Sequence, residues 1–337
     1  MKVLLTGGIG FIGLKTSQKL VGLGHEVIAL DSLLEQVHQD IKAEKAAFPG
    51  EIYVGDVSER SDWAQIPEVH AIIHLAAETG TAQSMYETER YRKVNVEGTR
   101  LAAEYAVKWN ASFVSLSSRA VYGEGFANRG TTEDDPHKPL SVYGETKSEG
   151  ESIVRELCYG KIGATIVRPQ NVIGPGQALH NPYTGVLAAF LARLRENKNL
   201  SVYGDGTATR DFIHVDDVAE FLIWCLLNQP EPADSPRILN CGSGERITLD
   251  QLAQYSIDAV PGGSTSHIEH VEIKRAGDIN HALADMSRAY ALGAPHAQRS
   301  ARESIADFIV KSWSVPGAKS EAWDLALEEL TDRGLAE

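Results

Sequence analysis

Tyr143 and Lys147 stand four residues apart in Tyr143-Gly144-Glu145-Thr146-Lys147, and of eleven tyrosines only Tyr143 has a lysine at that distance. Positions i and i+4 share one face of a helix. An ammonium there stabilises phenolate and draws the tyrosine pKa toward neutrality, which makes the phenol a usable proton acceptor. Upstream, Phe113-Val114-Ser115-Leu116-Ser117-Ser118 closes an apolar run with hydroxyls. Alone, a Tyr-x-x-x-Lys pair fits an exposed helix equally well, so the rest of the chain must decide.

The second chemical feature lies at the amino terminus. Lys2–Thr6 reads as a strand and runs straight into Gly7, Gly8, Gly10 and Gly13, and a helical pattern begins at Phe11. Glycines at this spacing let backbone approach a pyrophosphate, and the helix start supplies free N–H groups and a positive dipole end. Gly7, Gly10, Phe11, Ile12 and Gly13 are therefore read as cofactor contacts. A ligand-free strand–helix turn can look the same, but the context favours a dinucleotide. The second strand ends at Asp31, 18 residues after Gly13. A carboxylate there accepts from ribose hydroxyls and repels a 2′-phosphate, while Ser32-Leu33-Leu34 offers no arginine; NAD is favoured over NADP. Asp56 and Val57 follow the third strand, in place to touch adenine. Leu75, Ala76 and Ala77 end the fourth with residues small enough for a cofactor to lie close, although packing alone would also explain them. Given a dinucleotide, Lys147 can bond the nicotinamide ribose as well as serve Tyr143.

These groups need a scaffold that delivers strand ends to one edge. Strands are read at Val3–Leu5, Glu26–Leu30, Ile52–Val54, Ala71–Leu75, Ser112–Leu116 and Thr165–Arg168, with helices at Phe11–Gly22, Thr88–Trp109 and Tyr143–Leu157 between them. Such alternation predicts an α/β fold, a Rossmann-type doubly wound parallel sheet with sites at the carboxyl ends of its strands. After Arg168 the texture changes. The stretch from Asn171 to Thr184 is rich in Gly, Pro and Asn; a helix follows from about Gly185 to Glu196, then a turn-rich strand region from Leu200 to Thr209. Phe212–His214, Asp216–Leu227 and Arg237–Leu239 read as strand, helix and strand returning to the main sheet. The division expected is 1–168 plus about 210–241 for a dinucleotide domain, about 169–209 plus 242–320 for a smaller substrate-binding domain, and 321–337 as an amphipathic acidic tail.

Bulk properties narrow the ligands. The formal charge of −14 repels nucleic acid and anionic membranes, so an anionic small molecule must be held by individual arginines and helix starts. The cysteines Cys158, Cys225 and Cys241 are far apart, which argues against a disulfide framework or a zinc site; no metal is expected. The densest apolar run, Val218 to Leu227, contains Glu220 and is too short to span a bilayer. Glycines follow Met1-Lys2-Val3-Leu4-Leu5 too soon for a signal sequence, and a cytoplasmic location is the expectation.

Taken together, Thr6–Gly13, His74-Leu75-Ala76-Ala77, Asn95, Ser117–Gly123, Tyr143–Lys147 and Arg210–Asp217 resemble the extended short-chain dehydrogenase/reductases. Within them the chain is similar to the NAD-dependent epimerase/dehydratase group that acts on nucleotide sugars. The resemblance runs to about Ala289. It implies Ser118 as the catalytic hydroxyl that bonds the sugar, beside Tyr143 and Lys147, and Asn95 as a further cofactor-site residue. Arg168–Gly176 resembles the family's R-x-x-N-x-x-G-P segment, implying that Asn171 contacts a diphosphate. Tyr203 is implied to lie against the nucleobase, and Arg210 and Arg275 to grip phosphates, a task suited to the planar guanidinium fork. Either arginine could instead be a surface ion-pair partner. A homodimer through Thr88–Trp109 and Tyr143–Leu157 is also implied.

Members of this family oxidise a sugar hydroxyl to a ketone and differ in the fate of that ketone. The 4,6-dehydratases carry Asp-Glu directly after the catalytic hydroxyl, and the decarboxylases keep the glutamate; here those positions are Arg119 and Ala120. Arginine does not give up a proton near neutral pH. That leaves epimerisation at C4 through a 4-keto sugar, with a reductase or dehydrogenase of such sugars as the alternative. A non-catalytic NAD-sensing module would leave Ser118, Tyr143 and Lys147 idle. Three segments, His74–Tyr86, Ser117–Gly125 and Gly176–Gly185, look similar to dTDP-L-rhamnose 4-epimerases and related 6-deoxysugar enzymes. Thr79 and Gln83 are expected to line the sugar, and Pro169, where the family commonly has an aromatic residue, alters the wall near nicotinamide.

Overall fold

The computed structural model describes residues 1–183 and 185–336. Six strands come in order from the first half of the chain: β1 Lys2–Thr6, β2 Glu26–Asp31, β3 Glu51–Val54, β4 Ala71–His74, β5 Ser112–Leu116 and β6 Ala164–Pro169. The later strands are β7 Asn171–Ile173, β8 Leu200–Tyr203, β9 Thr209–Arg210, β10 Phe212–His214, β11 Arg237–Cys241, β12 Ile247–Thr248 and β13 Ile268–Val271.

Seven of these form one parallel sheet in the order β11-β6-β5-β4-β1-β2-β3. Apart from the edge strand β3, its strands are buried on both faces, and the period of two divides their side chains between two cores. Val3 and Leu5 join Val27, Ala29, Ala71 and Ile73 against the helices Phe11–Gly22 and Val215–Leu227. Leu4, Ile28, Leu30, Ile72 and Phe113 face the helices Gly98–Lys108 and Val142–Cys158. The chain winds outward from β1 to β3, then crosses to β4 and winds the other way. A crevice therefore opens where the carboxyl ends of β1 and β4 part.

A third core lies apart from the sheet, where Leu187, Phe190, Leu191, Leu252, Ile305 and Phe308 meet on the helices Val186–Arg195, Leu249–Asp258 and Ala301–Ser312. The last two helices start on capping boxes, Thr248 with Gln251 and Ser300 with Glu303, in which each side chain satisfies a free backbone N–H of the other end.

Three expectations need correction. Of the elements read as returning to the main sheet, only β11 does so as a strand; β10 pairs in parallel with β7 in a sheet of two. Three residues carry too little pattern to choose a partner. The single helix read over Thr88–Trp109 is two, Thr88–Arg92 and Gly98–Lys108, joined by a π turn at Lys93–Glu97 that carries Asn95 inward. The segment read as a tail holds the helix Ser320–Asp332, and Leu330 and Ala336 are buried. Among the described residues no helix is long and apolar enough to cross a membrane.

Candidate active site

A cavity of about 2450 Å³ runs along the sheet's carboxyl edge into the third core. Ordinary small-molecule pockets hold roughly 300–1,000 Å³, so two sizeable ligands can share this one. The residues singled out from the sequence for cofactor, catalysis and substrate border it, except Gly8, Gln83 and Asn95.

At the dinucleotide end the wall is backbone. Gly7 has φ +65°, and a Cβ there would lie 2.9 Å from Ala76 Cα; one on Gly13 would lie 2.4 Å from the Gly7 carbonyl. Gly10 caps the helix Phe11–Gly22 without a side-chain bond, leaving first-turn N–H groups open to a ligand. Such a cradle fits the pyrophosphate of NAD. Gly8 serves packing instead, since its Cβ would meet Ala29 at 2.8 Å. Asp31 is 5% exposed, and its carboxylate accepts from the backbone N–H of Ile9 and of Leu33, each at 3.0 Å. His38, which the sequence did not single out, sits 3.2 Å from Asp31 and 2.6 Å from Glu44. Burial pulls the His38 pKa down, but the two carboxylates outweigh it and the net shift is upward.

Behind Ala76 a chain of bonds fixes the floor. The Thr6 hydroxyl is 2.7 Å from His74 Nδ1 and accepts from the N–H groups of Leu75 and Ala76; His74 Nε2 is 3.1 Å from Thr99 Oγ1, which donates to the Asn95 carbonyl. Burial, then the charge of Lys147, depress His74 to about 3, so it is neutral. Asn95 is turned away from the cavity. Its amide joins the backbone of Glu78 to Thr146 Oγ1 at 2.8–3.1 Å, tying the exit of β4 to the helix Val142–Cys158. Asn95 thus positions the site's elements. Gln83 bonds Gln36 at 2.8 Å beside a smaller neighbouring cavity.

Ser118 follows β5 and caps the 3₁₀ turn Arg119–Tyr122, its Oγ accepting from Ala120 N–H at 3.1 Å. The helix Val142–Cys158 starts on Ser141, whose Oγ accepts from Gly144 N–H. Gly144 lets that first turn close onto the 3₁₀ turn, because a Cβ would lie 2.6 Å from the Ala120 carbonyl. Tyr143 and Ser118 are brought together in this way, and Lys147 donates to the Leu116 carbonyl at 2.9 Å. Burial lowers Lys147 to about 8, with Glu151 opposing. The phenol does not follow the expectation from spacing. Burial raises the Tyr143 pKa, and the Ser118 hydrogen bond only partly offsets this. Removing the phenolate from water costs more than its neighbours return.

Beneath the serines, Glu151 and Arg168 form a buried bidentate pair at 2.9 and 2.6 Å, with Tyr122 on a further nitrogen of Arg168. The substrate end is built from side chains on separate segments. Asn171 opens β7, and Arg210 closes β9. The Arg275 guanidinium lies 4.9 Å over the Tyr203 ring and is also paired with Asp278 at 3.1 Å. Trp323, Leu327 and Leu330 of the last helix complete this wall, and Ala276 N–H donates to the Leu335 carbonyl at 2.8 Å. Their helical spacing was visible as amphipathicity in the tail, but its partner was not.

Comparison with known proteins identifies the family. The sequence model of the NAD dependent epimerase/dehydratase family matches residues 3–242. A dTDP-L-rhamnose 4-epimerase of Burkholderia thailandensis is 35% identical over 330 residues, spanning 86% of this chain and 89% of the relative. A UDP-N-acetyl-alpha-D-glucosaminuronate decarboxylase of Bacillus cytotoxicus is 28% identical over 81% of this chain and 84% of its own. Among solved structures, the dTDP-glucose 4,6-dehydratase DesIV of Streptomyces venezuelae, determined with NAD bound, superposes with a TM-score of 0.83 at 26% identity, covering 96% of this chain and 100% of that one.

Proposed function

The chain belongs to the NAD-dependent epimerase/dehydratase family, with NAD as its cofactor, and on that premise we propose that it epimerises a nucleotide-diphosphate sugar at C4 through a 4-keto intermediate. One observation carries the choice of reaction. Tyr143 and Ser118 share the cavity with Arg119 and Ala120, where the family's dehydratases have two acids.

Ser118 would bond the C4 oxygen and hold it in line with Tyr143, which accepts the hydroxyl proton; the positive charges of Lys147 and of bound oxidised NAD would offset the burial that raises the phenol's pKa. Lys147 would add positive charge to the site and anchor the cofactor ribose. NAD supplies the two-electron acceptor for the C4–H bond and, when reduced, the donor that restores it. Between these halves the ketone turns over in the cavity and presents its other face. Tyr143 then returns the proton to the new alcohol, and no further acid or base is required. Dehydration would need an acid for the departing hydroxyl, which Arg119 cannot supply.

Asn171, Tyr203 and Arg275, on the unit formed by about 169–209 and 242–320, and Arg210, at the start of the segment 210–241, are assigned to the diphosphate and nucleobase. The similarity to the Burkholderia relative favours a thymidine-linked 6-deoxysugar. A homodimer through residues 88–109 and 143–157 belongs to the same proposal. Its contact would be polar, since Arg92 reaches Glu145 and Glu149 across these helices. Incubation with a panel of nucleotide sugars, reading C4 configuration by proton NMR, tests the reaction. The expected result is a C4 mixture with no net absorbance change at 340 nm; steady consumption of added NADH would replace this reading with a reductase.

A further inference from the structure

The fully buried Arg168 meets a carboxylate, that of Glu151. Arg119 and Arg210 do not. Among the described residues neither forms an ion pair within 4.0 Å. Arg119 follows Ser118 directly and borders the cavity. Its Nη2 donates to the Gly123 carbonyl at 2.6 Å, while its Nε is buried with no acceptor. Arg210 donates one bond, from Nη1 to the Thr209 carbonyl at 2.9 Å. Both open on the same cavity, and after burial the charge of Arg210 lowers the Arg119 pKa further. Asp278 attracts Arg210 but is paired with Arg275 at 3.1 Å, and Glu124 attracts both arginines while its carboxylate already accepts from the backbone N–H groups of Asn280 and His281, at 2.9 and 2.7 Å.

A guanidinium has five N–H donors in a fixed fork, and a buried donor with no acceptor, as Arg119 Nε is, is costly. Two guanidiniums without carboxylate partners, opening on one cavity, are stabilised when an anion enters between them.

We propose that Arg119 and Arg210 form a paired-guanidinium site for a substrate oxyanion, with Arg119 holding the phosphate nearest the sugar, beside Ser118. This rests on the nucleotide-sugar reading above. The position that carries a proton donor in dehydratases would here hold a charge instead, so the same residue that removes dehydration tightens the substrate. A carboxylate borne on the sugar is the other source of the same chemistry.

The test uses the NAD-loaded protein and calorimetric titration with dTDP, UDP, GDP and ADP, continuing with whichever binds the wild type. Arg119→Met keeps the aliphatic stem and removes the fork. It is expected to weaken nucleoside diphosphate binding at least about tenfold, or ~1.4 kcal/mol, with NAD content unchanged and no fall in the thermal midpoint of the ligand-free protein. Arg119→Lys should restore part of the affinity, as a point charge without the fork. Unchanged nucleoside diphosphate binding in Arg119→Met, with a lost preference for UDP-glucuronic acid over UDP-glucose, would place the oxyanion on the sugar. No change in either measurement overturns the proposal. Inorganic pyrophosphate, titrated in parallel, keeps the two readings separate. If it binds the wild type and loses affinity in Arg119→Met while no nucleotide binds, the arginine pair stands and the nucleotide-sugar reading falls.

Discussion

The two ends of the cavity are made differently. At the NAD end the contacts are backbone held in place by glycines, by the Thr6–His74–Thr99 chain and by Asp31, whose oxygens are already bonded to the protein. At the substrate end they are long side chains from β9, the loop before Gly277 and the final helix, and two of the cations have no carboxylate. The first end is pre-organised by shape and is intolerant of added volume. The second is pre-organised by charge and is unsatisfied without a ligand.

The largest effect should come where the ends meet. Tyr143→Phe is expected to lower turnover by about 10²–10⁴, the usual contribution of general acid–base catalysis, with binding of NAD and of nucleoside diphosphate retained. Loss of either ligand in calorimetry would show that the ends are not separable at this residue. Next comes the buried pair under the serines. Glu151→Ala leaves Arg168 charged and unpartnered, and urea unfolding should show a loss of about 3–5 kcal/mol; a loss near zero would mean that water reaches Arg168.

Gly13→Ala and Arg210→Ala then probe the contrast directly. The first forces a Cβ against the Gly7 and Gly8 carbonyls and should cost about 1–3 kcal/mol in stability, as overpacking does, together with loss of co-purifying NAD. Arg210→Ala should leave the fold and NAD content unchanged and weaken nucleoside diphosphate binding by about tenfold or more, as for a lost charged hydrogen bond. Unfolding of the arginine variant, or NAD retention in the glycine variant, would break the comparison. The smallest readout is spectroscopic. With burial raising the Tyr143 pKa, the cofactor-free protein should show this residue ionising above the ordinary tyrosine range when its ultraviolet titration is compared with that of Tyr143→Phe. A phenolate at neutral pH would mean that Lys147 alone suffices.

Much of the cofactor end was legible because its signals are local. The spacing of Gly7 to Gly13, the acid at Asp31 and the alternation of Val3, Leu4 and Leu5 each follow from a few consecutive residues and the geometry of one strand–turn–helix. The capping boxes at Thr248 and Ser300 were equally readable, and mark helices the pattern alone did not single out. What the tertiary structure decided depends on segments far apart in the chain. The pairing of β7 with β10, the inward turn of Asn95 and the seating of Trp323 against the cavity are such cases. So are the unmet Nε of Arg119, on the same cavity as Arg210, and the raised pKa of Tyr143. Residue types and spacings state which groups can do chemistry. Desolvation, and therefore protonation and unmet charge, is set by everything packed around them.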